Sequence, residues 1–152
     1  MPGIRWPAAL AAAVTVIGVA GATFALSGAE VVQMRRAAFD EMAQVLQFAA
    51  RNWREPSAYP DIARAARIIE RDARSLTDLF PAGTGASDGY RTAALDAVWS
   101  DRQGFDQLAN RLAEQAAGMT TVSDATSQDQ IKQGLVGIIG TCKACHRDYR
   151  AN

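Results

Sequence analysis

A helical period repeated four times constrains this chain more than any other feature. From Glu30 to about Arg54, residues Val32, Arg35, Phe39, Met42, Leu46, Ala49 and Trp53 fall at alternating spacings of three and four, the seam of one helix face. Glu55-Pro56 ends it, because proline has no amide hydrogen and restricts its predecessor. The stretch from Asp61 to Leu79 repeats the pattern with Ile62, Ala65, Ile69, Ala73 and Leu76. Phe80-Pro81-Ala82-Gly83-Thr84-Gly85 stops it, and the loop runs on through Ser87, Asp88 and Gly89. A third face is Leu95, Val98, Arg102, Phe105, Ala109, Leu112, Ala116 and Met119, closed by Gly118 and Thr120-Thr121. Asp124 or Ser127 can cap a fourth helix, with the seam Ile131, Leu135, Ile138, Cys142, Cys145 and Tyr149. No segment of strand period lies between them, so the expected class is all-α, an antiparallel four-helix bundle.

Composition agrees. With 152 residues, 49% apolar and 21% charged, the chain has the length and the apolar content for one domain with a buried core, which excludes collagen-like, low-complexity and disordered readings. Basic and acidic residues number 16 each, so there is no charge excess to neutralise a nucleic-acid backbone, and no nucleic-acid partner is expected. Gly134, Gly137 and Gly140 weaken the fourth helix and lie along one stripe. That stripe either lets something flat and bulky approach the backbone or packs closely against a neighbouring helix.

The N-terminus reads as a separate segment. Residues 6–26 carry no charge and follow Arg5, the pattern of a signal peptide, with small-x-small cleavage sites at Ala20-Gly21-Ala22 and Ser27-Gly28-Ala29. The same run is long enough to serve as a membrane anchor if it is not cleaved. Residues 1–29 are therefore expected to be a signal peptide or anchor, and residues 30–152 an exported bundle. In an exported domain a disulfide is the ordinary use of two cysteines.

Cys142, Cys145 and His146 are the only cysteines and the only histidine, and they stand within five residues. C-x-x-C-H is the attachment motif of c-type haem: two sulfurs add to the two vinyl groups of one porphyrin edge, and the adjacent imidazole reaches the iron. One covalent haem c near the C-terminus is the expected cofactor, with His146 as the iron ligand. A thioredoxin-like Cys pair would need strands around it, and zinc would need further ligands. A structural disulfide would leave His146 unexplained.

The sixth position of the iron separates two functions. Met34, Met42 and Met119 are the methionines outside the N-terminal segment, and Met42 lies on the seam of the first helix. If none binds, the iron is five-coordinate with an apolar distal pocket. Arg35 is the only charged residue on that seam, and a guanidinium on a core face needs an anion such as a haem propionate, unless it snorkels to solvent. Arg150, one turn beyond His146 on the same helix face, is expected beside the proximal imidazole.

With these residues in place the chain resembles the cytochrome c′ family, the class II c-type cytochromes, over residues 30–152. The resemblance rests on Cys142-Lys143-Ala144-Cys145-His146-Arg147-Asp148-Tyr149-Arg150, on the loop Phe80-Pro81-Ala82-Gly83-Thr84, on Val98-Trp99-Ser100-Asp101 followed by Phe105, and on Met34-Arg35-Arg36-Ala37-Ala38-Phe39. It implies a periplasmic bundle, commonly a homodimer, with a five-coordinate haem that binds NO and CO. By position, Cys142 and Cys145 are the thioether sites and His146 the axial ligand. Arg35, with Arg36 as a second candidate, contacts the propionates; Arg150 lies on the proximal side, and Phe39 stands over the iron on the distal side.

The expected function is one-electron transfer together with NO and CO binding at an open iron site. A Met-ligated, six-coordinate electron carrier of the same fold is the alternative, and a haem-free exported module with a disulfide and a protein partner is a third. No nucleophile, base and oxyanion constellation appears, so an electron carrier or gas-binding protein is expected rather than an enzyme. The redox partner is not legible.

Overall fold

The computed structural model describes residues 26–151. Most of the expected N-terminal signal or anchor, residues 1–25, therefore lies outside the described residues. Helix α1 spans Gly28–Asn52. Ser27 and Glu30 close its start reciprocally: the Ser27 hydroxyl accepts the Glu30 amide at 3.3 Å and the Glu30 carboxylate accepts the Ser27 amide at 2.7 Å. These bonds hold the Glu30 carboxyl below its ordinary range. Residues 28 and 29 are thus already helical, and a cut after Ala29 would remove the cap.

A single tight turn, Pro56–Ala58, leads into α2, Tyr59–Ser75, with Pro60 in its first turn where a missing amide hydrogen costs nothing. The expected continuation to Leu79 is a tighter 3-10 turn, Leu76–Leu79, which ends the helix ahead of Pro81. The loop reverses at Gly83 and Gly89, whose φ values of 77° and 90° suit glycine.

The expected third helix is broken in two: α3 is Ala97–Ser100 and α4 is Arg102–Ala117. Asp101 leaves the helical region (φ −115°, ψ 55°) and its carboxylate accepts the Gly104 amide at 3.2 Å, so a short polar side chain both interrupts one helix and caps the next. Helix α5, Gln128–Tyr149, is capped by Ser127, with Gln130 completing the box. It ends one residue earlier than expected. Arg150 is extended (φ −126°, ψ 132°) and pairs with Ala94 in an isolated antiparallel bridge, so it does not continue the helix face of His146. Leu95 donates to the Tyr149 carbonyl at 3.0 Å and Ala151 to the Ala93 carbonyl at 2.8 Å, clasping the loop to the C-terminus.

The four long helices form an antiparallel bundle in which α1 packs on α2, α2 on α4 and α4 on α5. Small residues, Ala63, Ala66 and Ala73 on α2 and Ala109, Ala113 and Ala116 on α4, fill the main core beside Ile62, Ile69, Ile131 and Ile138. By contrast α1 and α5 scarcely touch. Among the described residues no helix is long and apolar enough to cross a membrane.

Candidate haem site

The gap between α1 and α5 opens into a cavity of about 500 Å³, within the range of cofactor sites. All seven residues expected at the site, Cys142, Cys145, His146, Arg35, Arg36, Phe39 and Arg150, line it. Its deeper walls are apolar, with Leu46, Ile69, Leu76 and Leu112 among them.

On α5, spacings of three and four bring the two sulfurs and the imidazole to one wall. Thr141, just before them, is buried and donates to the Gln115 amide oxygen at 2.8 Å, which pins the start of the motif to α4. Cys142 and Cys145 are free, half-buried thiols. Burial, followed by coulombic repulsion from Cys142 and Asp148, pushes the Cys145 thiol up to about 11, and burial raises Cys142 as well. Burial and the Arg150 charge lower His146, which favours the neutral imidazole that has a lone pair to give. Arg150 thus remains beside His146, held there by the bridge to Ala94 rather than by helix spacing. No cluster of three or more metal-binding side chains occurs among the described residues.

The opposite wall carries Arg35. It is 2% exposed and does not snorkel. Its guanidinium donates to the Thr84 hydroxyl at 3.2 Å and to the Thr84 carbonyl at 2.6 Å, and lies 4.7 Å from the centre of the Phe80 ring and 6.0 Å from that of Trp99. Burial, followed by the Arg36 charge, lowers its pKa, and among the described residues no carboxylate pairs with it. A buried cation at the edge of an apolar cavity, with neutral partners only, is a place prepared for an anion. A haem brings two carboxylates, so the residues present fit that group. Arg36, exposed at the rim, donates to the Arg91 carbonyl and ties the loop to α1.

Phe39 faces the cavity from α1 and meets Phe80 edge-to-face, ring centres 6.3 Å apart. Of the methionines, Met42 lines the cavity, Met34 is 46% exposed and outside it, and Met119 is buried against Gly134. The glycine stripe divides accordingly: a side chain at Gly134 would strike Met119 and one at Gly137 would press on Gln115, while Gly140 faces open space. Close packing on α4 explains the first two.

A family model described as cytochrome C′ matches residues 30–150. The chain belongs to that family. It is 32% identical over 136 residues to the cytochrome c′ of Rhodopseudomonas palustris, an alignment that covers 88% of this chain and 90% of the relative. A solved structure of cytochrome c′ from that organism superposes with a TM-score of 0.68 at 30% identity, covering 80% of this chain and 96% of the other. The fold is also shared, with a TM-score of 0.70 at 20% identity, by a carbon monoxide-bound variant of cytochrome c′ from Alcaligenes xylosoxidans, covering 83% and 98%. As a cytochrome c′, this chain is a c-type haem protein whose cofactor is covalent haem c, and the disulfide alternative falls away.

Sequence reasoning missed the partners of the site residues. Thr84, Phe80 and Trp99 enclose Arg35, and Asp101 binds Tyr149 across 48 positions of sequence. The loop and Trp99 stood in the motifs, but their contacts with Arg35 come from long-range packing that no local spacing carries.

Proposed function

We propose that this cytochrome c′ holds a five-coordinate haem, transfers one electron, and binds NO and CO on the side of the iron facing α1. Cys142 and Cys145 carry the thioethers and His146 is the axial ligand. Arg35 meets a propionate, Arg36 stands at the same rim, and Arg150 borders the proximal imidazole. The observation that carries the reading is Phe39, which lines the cavity wall opposite the Cys-x-x-Cys-His helix and is braced there by Phe80. A phenyl ring has no lone pair to donate, so a diatomic ligand enters by displacing it.

Met42 supports the second reading, a six-coordinate electron carrier, because it is the one methionine lining the cavity among the described residues. Absorption spectra of the oxidised, reduced and CO-bound protein separate the two. The five-coordinate reading expects a high-spin reduced spectrum and slow CO association that Phe39→Ala accelerates. A low-spin reduced spectrum abolished by changing Met42 but not Phe39 would overturn it.

Export to the periplasm, with the N-terminal segment acting as signal or anchor, belongs to the same reading. So does a homodimer formed through exposed residues of α1 and α2, where Phe48 and Val45 border a groove with Ile68. Sedimentation of the exported protein tests the dimer, and its intact mass reports the cleavage.

A further inference from the structure

The chain has three tyrosines. Tyr59 lies in the alanine and isoleucine core and Tyr90 against Gly28. Tyr149 is different: it lines the haem cavity, is 5% exposed, and packs in a cluster whose rim includes Cys145. Its hydroxyl donates to Asp101 Oδ2 at 2.6 Å, a short charge-assisted bond. The other oxygen of Asp101 caps α4, so the carboxylate is fixed in place, yet the residue is exposed and can pass a proton to water. Gly104 leaves room for this pair, since a Cβ there would overlap both the phenol oxygen and Asp101 Oδ2. Tyr149 is therefore a buried residue on the wall of the haem cavity, with one base aligned on its phenolic proton.

We propose that Tyr149 and Asp101 form a redox site: when a hydroperoxide has oxidised the haem, Tyr149 returns one electron to the haem and passes its phenolic proton to Asp101. The co-reactant, hydrogen peroxide, takes up two electrons from the haem and two protons from solvent to become two water molecules, leaving the haem short of two electrons. Tyr149 makes good one of them. Its O–H bond breaks, the proton forms a new O–H bond on Asp101, and a neutral phenoxyl radical and a neutral carboxylic acid result. Direct loss of an electron without the proton would leave a cation in an apolar cluster, which burial disfavours. Phe105, with ring centres 5.5 Å from Tyr149 and 5.0 Å from Phe80, has no ionisable proton to give, so it is not itself a second site for the electron deficit.

The inference rests on the open iron site proposed above, because peroxide must reach the metal. Spectra of the untreated protein report that site separately. The test is electron paramagnetic resonance of the ferric holoprotein freeze-quenched after mixing with hydrogen peroxide, with natural and with ring-deuterated tyrosine. The expected result is a tyrosyl signal that narrows on deuteration and is lost in Tyr149→Phe, which keeps the ring. It should fall several-fold in Asp101→Asn, which keeps a helix cap but no base, and in Gly104→Ala, which forces the pair apart. Spin trapping of the wild-type protein, with peptide mass spectrometry, should place the adduct on Tyr149 and needs no variant to fold. A signal unchanged in Tyr149→Phe or in Asp101→Asn, an adduct on Tyr59, Tyr90 or Trp99, or a haem spectrum indifferent to peroxide would each overturn the proposal.

Discussion

The interface of α2 with α4 and the interface of α1 with α5 are built from opposite materials. Alanines on both α2 and α4 bring those backbones together, and Ala116 is fully buried at 0% exposure. Between α1 and α5 stand Arg35, Phe39, Met42 and the Cys-x-x-Cys-His wall, and the two helices hardly meet. The difference teaches how a bundle of four similar helices makes room for a flat cofactor. Close contact at one interface ties the helices together, so another can stay open at modest cost, its walls held apart by aromatic rings at the cavity end.

The contrast breaks most readily at Phe105, which is 2% exposed and contacts both Phe80 and Tyr149. Phe105→Ala should cost about 3–5 kcal/mol in urea unfolding of the holoprotein, and a loss below 1 kcal/mol would show that the rings do not hold the open end. Arg35 distinguishes a haem-loaded gap from an empty one. Arg35→Leu should destabilise the haem-loaded protein by about 1.5–3 kcal/mol more than the haem-free protein, because only the former loses a charged hydrogen-bond partner. Equal effects in the two forms would mean that the propionates lie elsewhere.

On the closed side, Ala116→Leu should cost about 1–3 kcal/mol by overpacking. Its haem spectrum should remain wild type, since Ala116 does not line the cavity. A spectral change without a stability loss would contradict the division into two interfaces. The smallest effect is confined to alkaline pH. Hydrogen bonding to Asp101, then burial, pushes the Tyr149 phenol up to about 12 from its ordinary value near 10. The folded state therefore keeps the proton where the unfolded state releases it, so this stabilisation is complete below about pH 10 and is lost as pH rises towards about 12. Tyr149→Phe should flatten that decline relative to wild type, as measured by denaturant titrations across the range.

Much of the fold was legible because its signals are local. The four seams, the stop at Pro56, the Phe80–Gly85 loop and the Ser127 cap are each carried by a few neighbouring residues, and local hydrogen bonding suffices to realise them. The third seam misled at Asp101: its apolar spacing continues across a residue whose carboxylate prefers to cap, and periodicity does not register that competition. Arg150 misled in the same way, since extrapolating the helix by one turn ignored the pairing of the C-terminus with Ala94.

The sequence by itself determined the helical class, the position and chemistry of the haem attachment motif, and the oddity of Arg35 on an apolar seam, because these depend on spacing along the chain and on side-chain chemistry. Only the tertiary structure decided which interface closes and which stays open, that Met42 and not Met34 or Met119 faces the cavity, and that Tyr149 meets Asp101. Those outcomes depend on how side-chain volumes fit between elements far apart in sequence, and a packing fit of that kind is a property of pairs of faces that neither face carries alone.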